Sequence, residues 1–372
     1  MACGEPFVVT GPVAGVTADC PSCGKKNVLS ETPLAEAPRT DVPAVTPVEE
    51  PAGDSPVRPA AARLIENMKQ VIVGKDQEIM LLVMAYFAGG HVLLEDVPGV
   101  AKTMLARALA RSVGCEFKRI QCTPDLLPND ITGSSIFNPK TAEFEFRRGP
   151  LFAQVVLADE INRATPRTQA ALLEAMAERK VSADGTTYDL TAPFFLIATQ
   201  NPIDHEGTFP LPEAQLDRFL VRLSLGYPGM ENEIFMLQRL RHQHPIENVE
   251  PVATAEEIVA CQDAVCEVYV DEKVARYVVQ IIHATRAHHD IILGGSPRAS
   301  MALLRCAQSY AAIQGFDFVT PDDVKGVAAY VLGHRLILRP ESRLRKITTR
   351  SVLEEVFNSV RVPPMPSTGF AR

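Results

Sequence analysis

Nowhere in the 372 residues is there a run of about 18 apolar side chains, so the sequence offers no membrane-spanning helix. The opening residues also lack the charged-then-apolar pattern of a secretory leader, and the cytoplasm is the expected compartment. Basic charge is in deficit: 37 Lys and Arg face 45 Asp and Glu, a net charge of −8. That is a poor match for a polyanion such as DNA, and no nucleic-acid partner is expected. No histidine precedes His91, and residues 31–60 contain seven prolines and no aromatic side chain. With acidic residues outnumbering basic ones, this stretch buries too little to order itself and reads as a linker after a short segment, residues 1–30. Eight cysteines in so long a chain argue against a disulfide scaffold. Five of them, Cys115, Cys122, Cys261, Cys266 and Cys306, lie in apolar periodic surroundings and are expected to be small core residues.

What is present is an alternating pattern. From Arg63 to Gly89 the apolar spacing is helical, broken at VIVGKDQ by Gly74. Then HVLLE, CEFKRIQC, QVVLADE, FFLIATQ and FLVRLSLG read as buried strands separated by helices, with Thr165 and Pro166 marking one helix start. Such alternation implies an α/β fold with a mostly parallel sheet covered on both faces. SSIFNPKTAEFEFRR and KVSADGTTYDLTA look instead like small inserted hairpins. After Tyr227-Pro228-Gly229 only helical signals follow: Thr254 with Glu257, Ser296-Pro297, Thr320-Pro321, and the stops Gly315 and Gly333. The expected organisation is a nucleotide-binding core over residues 61–228, a helical domain over 229–360 and a tail over 361–372.

The segment from His91 to Leu109 is strand, turn and helix, with Pro98, Gly99, Val100 and Ala101 forming the turn and Lys102, Thr103 and Met104 opening the helix. That order puts backbone N–H groups, a helix dipole and a lysine around one point, as a nucleotide's phosphates require. The strict pattern G-x-x-x-x-G-K-[ST] fails twice, because Asp96 and Ala101 replace its glycines. Ala101 is expected near the helical region, which a Cβ permits. The Asp96 carboxylate must point away from a triphosphate or be neutralised, or it would weaken binding. QVVLADE supplies what such a loop needs, with Asp159 able to hold Mg²⁺ beside Thr103 and Glu160 able to polarise the attacking water. A buried strand ending in two solvated acids is the plainer alternative. Asn201, after FFLIATQ, can orient that water, or be a turn asparagine before proline. Arg218, in PEAQLDRFL, can neutralise charge on a transferred phosphoryl group, or pair on the surface with Glu213 or Asp217. Arg298 falls in the first turn of a helix, where a cation is unfavourable unless an anion outside rewards it, either a phosphate between the two domains or a nearby acid.

Taken together, VIVGKDQ, EDVPGVAKT, LADEINRATPRTQAALLEAMAE, ATQNPIDHEGTFPLPEAQLDRF and GGSPRASMALLRCAQSYA resemble, in order and spacing, the signatures of the MoxR family of AAA+ ATPases over about residues 60–360. The resemblance implies a five-stranded parallel core with a helical lid and inserted hairpins. It makes Lys102 and Thr103 the Walker A residues, Asp159 and Glu160 Walker B, Asn201 sensor 1, Arg298 sensor 2, and Arg218 an arginine finger acting on a neighbouring subunit. Val73 and Gly74 would lie against adenine, and the hairpins match the helix-2 insert and presensor-1 hairpin of the clade that holds magnesium chelatase and MCM motors. It further implies ATP and Mg²⁺ as ligands, a hexameric homo-oligomer, a wedge between core and lid that hydrolysis opens and closes, and protein clients, with a von Willebrand factor A domain partner. Within that family the shorter EDVPG-x-[AG]-KT loop is a working variant.

Two other classes stay in view. One is a nucleic-acid motor of the same clade, although KVSADGTTYDL carries one lysine, two aspartates and no arginine, weak equipment for gripping phosphates. The other is a nucleotide-switched scaffold with little hydrolysis. At the N-terminus, Cys20-Pro-Ser-Cys23-Gly resembles one knuckle of a zinc ribbon, and Cys3-Gly4 the second half of another, which leaves two readings open: Zn²⁺ at Cys3, Cys20 and Cys23 completed by another ligand or chain, or no zinc at all.

Overall fold

The computed structural model describes residues 55–201, 207–239 and 245–364, together with the backbone of two short strands, Thr17–Asp19 and Lys26–Val28. Those two strands pair antiparallel. Cys20 and Cys23 fall between them in sequence and, like Cys3 and residues 31–54, lie outside the described residues.

Helix α1 (Val57–Lys69) starts inside the stretch expected as linker. Val57 and Ala60 are completely buried, and Pro59 sits in the first turn, where its missing N–H has no intrahelical partner to lose. Counting prolines therefore overextended the linker at its end. Gly74, at φ +69°, makes the expected break before α2 (Asp76–Phe87).

The core then runs through β1 (Val92–Glu95), α3 (Lys102–Val113), β2 (Phe117–Gln121), α4 (Pro128–Thr132), the hairpin β3 (Gly133–Asn138) and β4 (Glu143–Arg148), and β5 (Val155–Asp159). It continues with α5 (Pro166–Glu178), the hairpin β6 (Lys180–Ala183) and β7 (Thr186–Asp189), β8 (Phe195–Gln200), α6 (Glu213–Leu216) and β9 (Val221–Leu223). Five strands form one parallel sheet in the order β9-β1-β8-β5-β2, so the fold is the expected α/β core. Both inserts are antiparallel hairpins, and they brace each other: Phe146 stacks on Tyr188 at 4.4 Å, and the Ser135 N–H donates to the Asp184 carboxylate at 2.9 Å.

The second part comprises α7 (Met230–Arg239), α8 (Ala255–Glu267), α9 (Glu272–Ala287), β10 (Ile291–Leu293), α10 (Pro297–Gln314), α11 (Pro321–Leu332), β11 (Ile337–Leu338), α12 (Pro340–Leu344) and α13 (Thr349–Ser359). It is helical but not helices alone, because β10 and β11 pair antiparallel. Thr254, Ser296 and Thr320 cap α8, α10 and α11 through their hydroxyls, as their spacing predicts. Among the described residues no helix is long and apolar enough to cross a membrane.

The hydrophobic core runs across the boundary expected between core and lid. One continuous cluster joins α1, α2, α3 and one face of the sheet to the helices of the second part, while a smaller cluster fills the opposite sheet face beneath α5. Ser309 on α10 donates to the Met84 carbonyl on α2 at 2.8 Å, deep inside the larger cluster. From residue 55 onward the described residues form one compact unit, with core and lid sharing that cluster. Of the five cysteines expected inside, Cys266 is exposed. It lies five residues after buried Cys261 on one helix, and at about 100° per residue the two cannot face the same side.

His91 opens the sheet from a fully buried position. Its Nδ1 accepts from the Leu196 N–H at 3.0 Å, so Nε2 carries the proton and donates to the Met176 carbonyl at 3.0 Å. Burial pulls its pKa from 6.5 down to about 4, and burial pulls His334 well below its ordinary value too. The unfolded chain takes up these protons near pH 6.5 and the folded chain does not, so stability present above that pH is lost as pH falls toward 4. Each proton steepens the decline by about 1.4 kcal/mol per pH unit. Urea unfolding measured across this window should show that slope, reduced by about one proton in His91→Gln; an unchanged slope would mean that His91 is charged in the fold.

Candidate active site

The parallel register brings the carboxyl ends of the strands to one edge: Glu95 lies opposite Gln200, and Gln121 opposite Asp159. Ligands of open α/β sheets bind at this edge. Here β1 runs into the loop from Asp96 to Ala101, and α3 starts at Lys102 with Thr103 in its first turn. Gly99 has φ +86°, and nothing lies within 4 Å of where its Cβ would be. Ala101 is not near the right-handed helical region, as expected, but left-handed at φ 62°, ψ 22°. The turn into α3 demands the conformation that glycine supplies in the strict motif, and alanine accepts it at a cost of about 1 kcal/mol or more.

Asp96 answers the electrostatic problem by turning its carboxylate inward. It is buried, and Oδ2 accepts from the backbone N–H of Leu225 at 2.5 Å, from that of Gly226 at 2.6 Å, and from the Ser224 hydroxyl at 3.2 Å, while Oδ1 accepts from the Val97 N–H at 2.9 Å. Its charge is spent on the segment that leaves β9 for the helical part. Its backbone carbonyl faces the other way and accepts from the Lys102 ammonium at 2.7 Å. Burial draws the Lys102 pKa down, opposed by the carboxylates of Asp96, Asp159 and Glu160, so lysine and acids share one neighbourhood.

Asp159 is buried at the end of β5. Its Oδ1 accepts from the Thr199 hydroxyl at 2.6 Å, and its Oδ2 from Arg119 Nη2 at 2.6 Å and Nε at 3.0 Å. Thr199 in turn accepts from the Glu160 N–H at 2.8 Å. That bond holds Glu160 in a left-handed conformation, φ 58°, which a carboxylate-bearing residue adopts only under local constraint. The Glu160 side chain meets Gln121 Nε2 at 3.1 Å and Arg163 Nε at 3.2 Å. Asn201 is buried one step beyond β8, and its carbonyl accepts from Asn162 at 3.4 Å. This donor set suits a magnesium-bound triphosphate: a helix N-terminus, a lysine, a hydroxyl in the first turn and an anionic carboxylate held ready by neighbours. Thr103 and Asp159 are the residues that would hold the ion.

Beside the loop lies a cavity of about 330 Å³, walled by Val71, Val73, Gly99, Val100, Met104 and Tyr227. Its walls are mostly apolar, suited to a nucleobase. Gly74 does not line it; its turn packs under Asn232 of α7 instead.

Arg218 and Arg298 are elsewhere. Both line a second cavity, also about 330 Å³, together with Arg179, Arg305, Arg335 and Asp217, and it shares no lining residue with the first. Arg298 therefore joins Arg218, not Lys102. Arg218 donates to the Leu173 carbonyl at 2.8 Å, while the Asp217 carboxylate expected to pair with it is taken by Arg335 and Ser296. In the second part, His288, His289 and Asp290 bring three ligating atoms within 4.8 Å of one another. The two rings stack 4.6 Å apart at 21°, and the Asp290 carboxylate already meets Ser342 at 2.5 Å and His289 at 3.1 Å.

Comparison with known proteins agrees with this geometry. Residues 91–221 match the model of the ATPase family associated with various cellular activities, and residues 283–356 match the AAA lid domain. The chain is 41% identical over 310 residues to the chaperone MoxR1 of Mycobacterium tuberculosis, covering 81% of this chain and 82% of that one. It belongs to the MoxR family of AAA+ ATPases. The uncharacterised protein YeaC of Bacillus subtilis is 50% identical over 307 residues, 82% of this chain and 96% of YeaC. A crystal structure from Cytophaga hutchinsonii, described as a candidate ATPase, superposes with a TM-score of 0.78 at 37% identity, covering 83% of this chain and 96% of its own.

Arg119, Gln121 and Thr199 escaped the sequence reading of this MoxR-family site. A signal existed for two of them: Arg119 and Gln121 stand two apart on the edge strand, which puts both side chains on one face. Replacing Asp96 by alanine strands two N–H groups of the hinge and should cost about 2 kcal/mol of stability, with weaker nucleotide binding. Tighter binding of a fluorescent ATP analogue would place that carboxylate against the phosphates. Ala101→Gly should instead raise the unfolding midpoint, by about 1 kcal/mol of relieved strain; a lower midpoint would mean that the turn is not strained.

Proposed function

We propose that this MoxR-family protein hydrolyses ATP with Mg²⁺ as a ring, by family analogy a hexamer, in which each nucleotide is held by one subunit and completed by the next. The observation that carries this reading is the separation of the parts: Lys102, Asp159 and Glu160 share one neighbourhood, while Arg218 and Arg298 line a different cavity. Exposed arginines with no triphosphate of their own are suited to a neighbour's γ-phosphate.

In the proposed reaction Lys102 and the N-terminus of α3 grip the β- and γ-phosphates; Thr103 and Asp159 would hold Mg²⁺, which would supply neutralisation of their charge. Glu160 takes the proton of the attacking water, released from Gln121 and Arg163, and Asn201 orients that water. Arg218 and Arg298 of the adjoining subunit meet the charge that gathers on the transferred group. Arg119 must leave Asp159 for the metal to bind, and its half-exposed side chain is free to swing out.

We assign protein, rather than nucleic acid, as the client. The β6–β7 hairpin's one lysine is paired with Asp189 at 3.5 Å, while on the β3–β4 hairpin, beside a turn that carries Lys140, Phe144, 74% exposed, meets Phe137 edge-on at 5.4 Å. Remodelling or maturation of that client in the cytoplasm, together with a von Willebrand factor A domain partner, follows from the family and from the chaperone name of MoxR1.

Arg218→Ala should retain ATP binding, lose hydrolysis by a factor on the order of a thousand, and poison mixed rings with wild type. Glu160→Gln should trap an ATP-bound assembly visible by size-exclusion chromatography. Wild-type turnover in Arg218→Ala would sink the shared site, and salt-sensitive stimulation of the native protein by DNA would replace the protein client with a nucleic acid.

A further inference from the structure

The residue before Arg218 is bound more tightly than Arg218 itself. Asp217 closes the short helix α6, and its two carboxylate oxygens reach into the second part of the molecule in two directions. Oδ2 accepts from the Ser296 hydroxyl at 2.8 Å. Ser296 is the N-cap of α10, accepting from the Ala299 N–H at 3.2 Å, so one hydroxyl both caps the helix that carries Arg298 and donates to Asp217. Oδ1 accepts from Arg335 Nε at 2.8 Å.

Arg335 is the more unusual partner, because its side chain is only 2% exposed. Besides the Asp217 carboxylate, its guanidinium donates to the backbone carbonyls of Asp217 at 3.2 Å, Phe219 at 2.5 Å, Leu220 at 3.0 Å and Val331. It thus brackets Arg218 on both sides along the chain. Burial depresses the Arg335 pKa and Asp217 opposes that shift, the pattern of a buried cation with one counter-charge. An ion this deeply desolvated is stable only while its partner and its hydrogen bonds are in place.

We propose that Asp217 is a positioning residue that sets Arg218 and Arg298 at a fixed separation, so that two exposed cations from different parts of the chain act as one anion-binding face. Arg218 follows Asp217 directly, and Arg298 follows Ser296 by two residues. Both side chains are exposed, and Arg218 has one tie of its own, to the Leu173 carbonyl at 2.8 Å; the link between Arg218 and Arg298 runs through the Asp217 to Ser296 bond and the Arg335 anchor beneath it. The proposal deepens the shared-site reading given above and rests on it. A misplacement of about 1 Å at such a distance from the reacting atoms costs on the order of a hundredfold in rate.

Complementation separates this role from a general loss of fold. Asp217→Asn keeps the size of the side chain and removes the charge. Its hydrolysis should fall on the order of a hundredfold, while its own pocket still binds a fluorescent ATP analogue with unchanged Kd. Mixed with Glu160→Gln subunits, which lack the base but keep ordered arginines, it should regain activity, because its intact pocket now meets a competent neighbour. Ser296→Ala should lower kcat about tenfold at unchanged KM, and Ser296→Thr should restore it, since threonine keeps both the cap and the bond. Arg218→Ala mixed with Glu160→Gln tests the underlying reading. If that pair recovers activity and Asp217→Asn with Glu160→Gln does not, Asp217 is not a positioning residue of the arginine face. If neither pair recovers, the shared site itself is overturned and the proposal with it. Full activity of Asp217→Asn alone would also overturn it.

Discussion

Everything at the nucleotide edge depends on where one carboxylate is aimed. A residue bearing negative charge stands where the strict phosphate loop has glycine, and it is tolerable only because Oδ2 is occupied by the Leu225 and Gly226 N–H groups and the Ser224 hydroxyl. Such bonds to a buried anion are worth more than neutral ones, and together they offset much of its desolvation. The same contacts fasten the loop to the start of the chain's passage into the lid. The loop's shape and the hinge's position are therefore one variable, and Lys102, held at the Asp96 carbonyl, moves with them.

Most of the architecture was legible in the residues, because strand and helix periods differ and the caps are chemically explicit. All five predicted strands form, Gly74 breaks the first helical run, and both inserts are hairpins. What escaped was set by tertiary context. Pro59 reads as a helix breaker in isolation and is harmless in a first turn; Cys266 reads as core until its angle from Cys261 is counted. Ala101 adopts a conformation its side chain disfavours, imposed by the loop on either side. Of the site, the individual residue types announced themselves and their grouping did not. Nothing in the spacing of Arg218 and Arg298 told that they line one cavity while the phosphate loop lines another.

The acids at the sheet edge show a similar economy. Asp159, Glu160, Thr199, Gln121 and Arg119 form a connected set of hydrogen bonds in which every acidic oxygen named has a protein partner within 3.2 Å. A network of this kind holds charged groups in place at low local dielectric. The Thr199 hydroxyl ties the Glu160 backbone into the same set.

The single hydrophobic cluster running from α1 to the lid has a mechanical meaning. A lid that shares one apolar cluster with the phosphate-binding half cannot be drawn away from it without exposing that cluster to water. The seam between the two halves is closed by the same side chains that hold the sheet, and parting them would give up part of the burial that folds the chain.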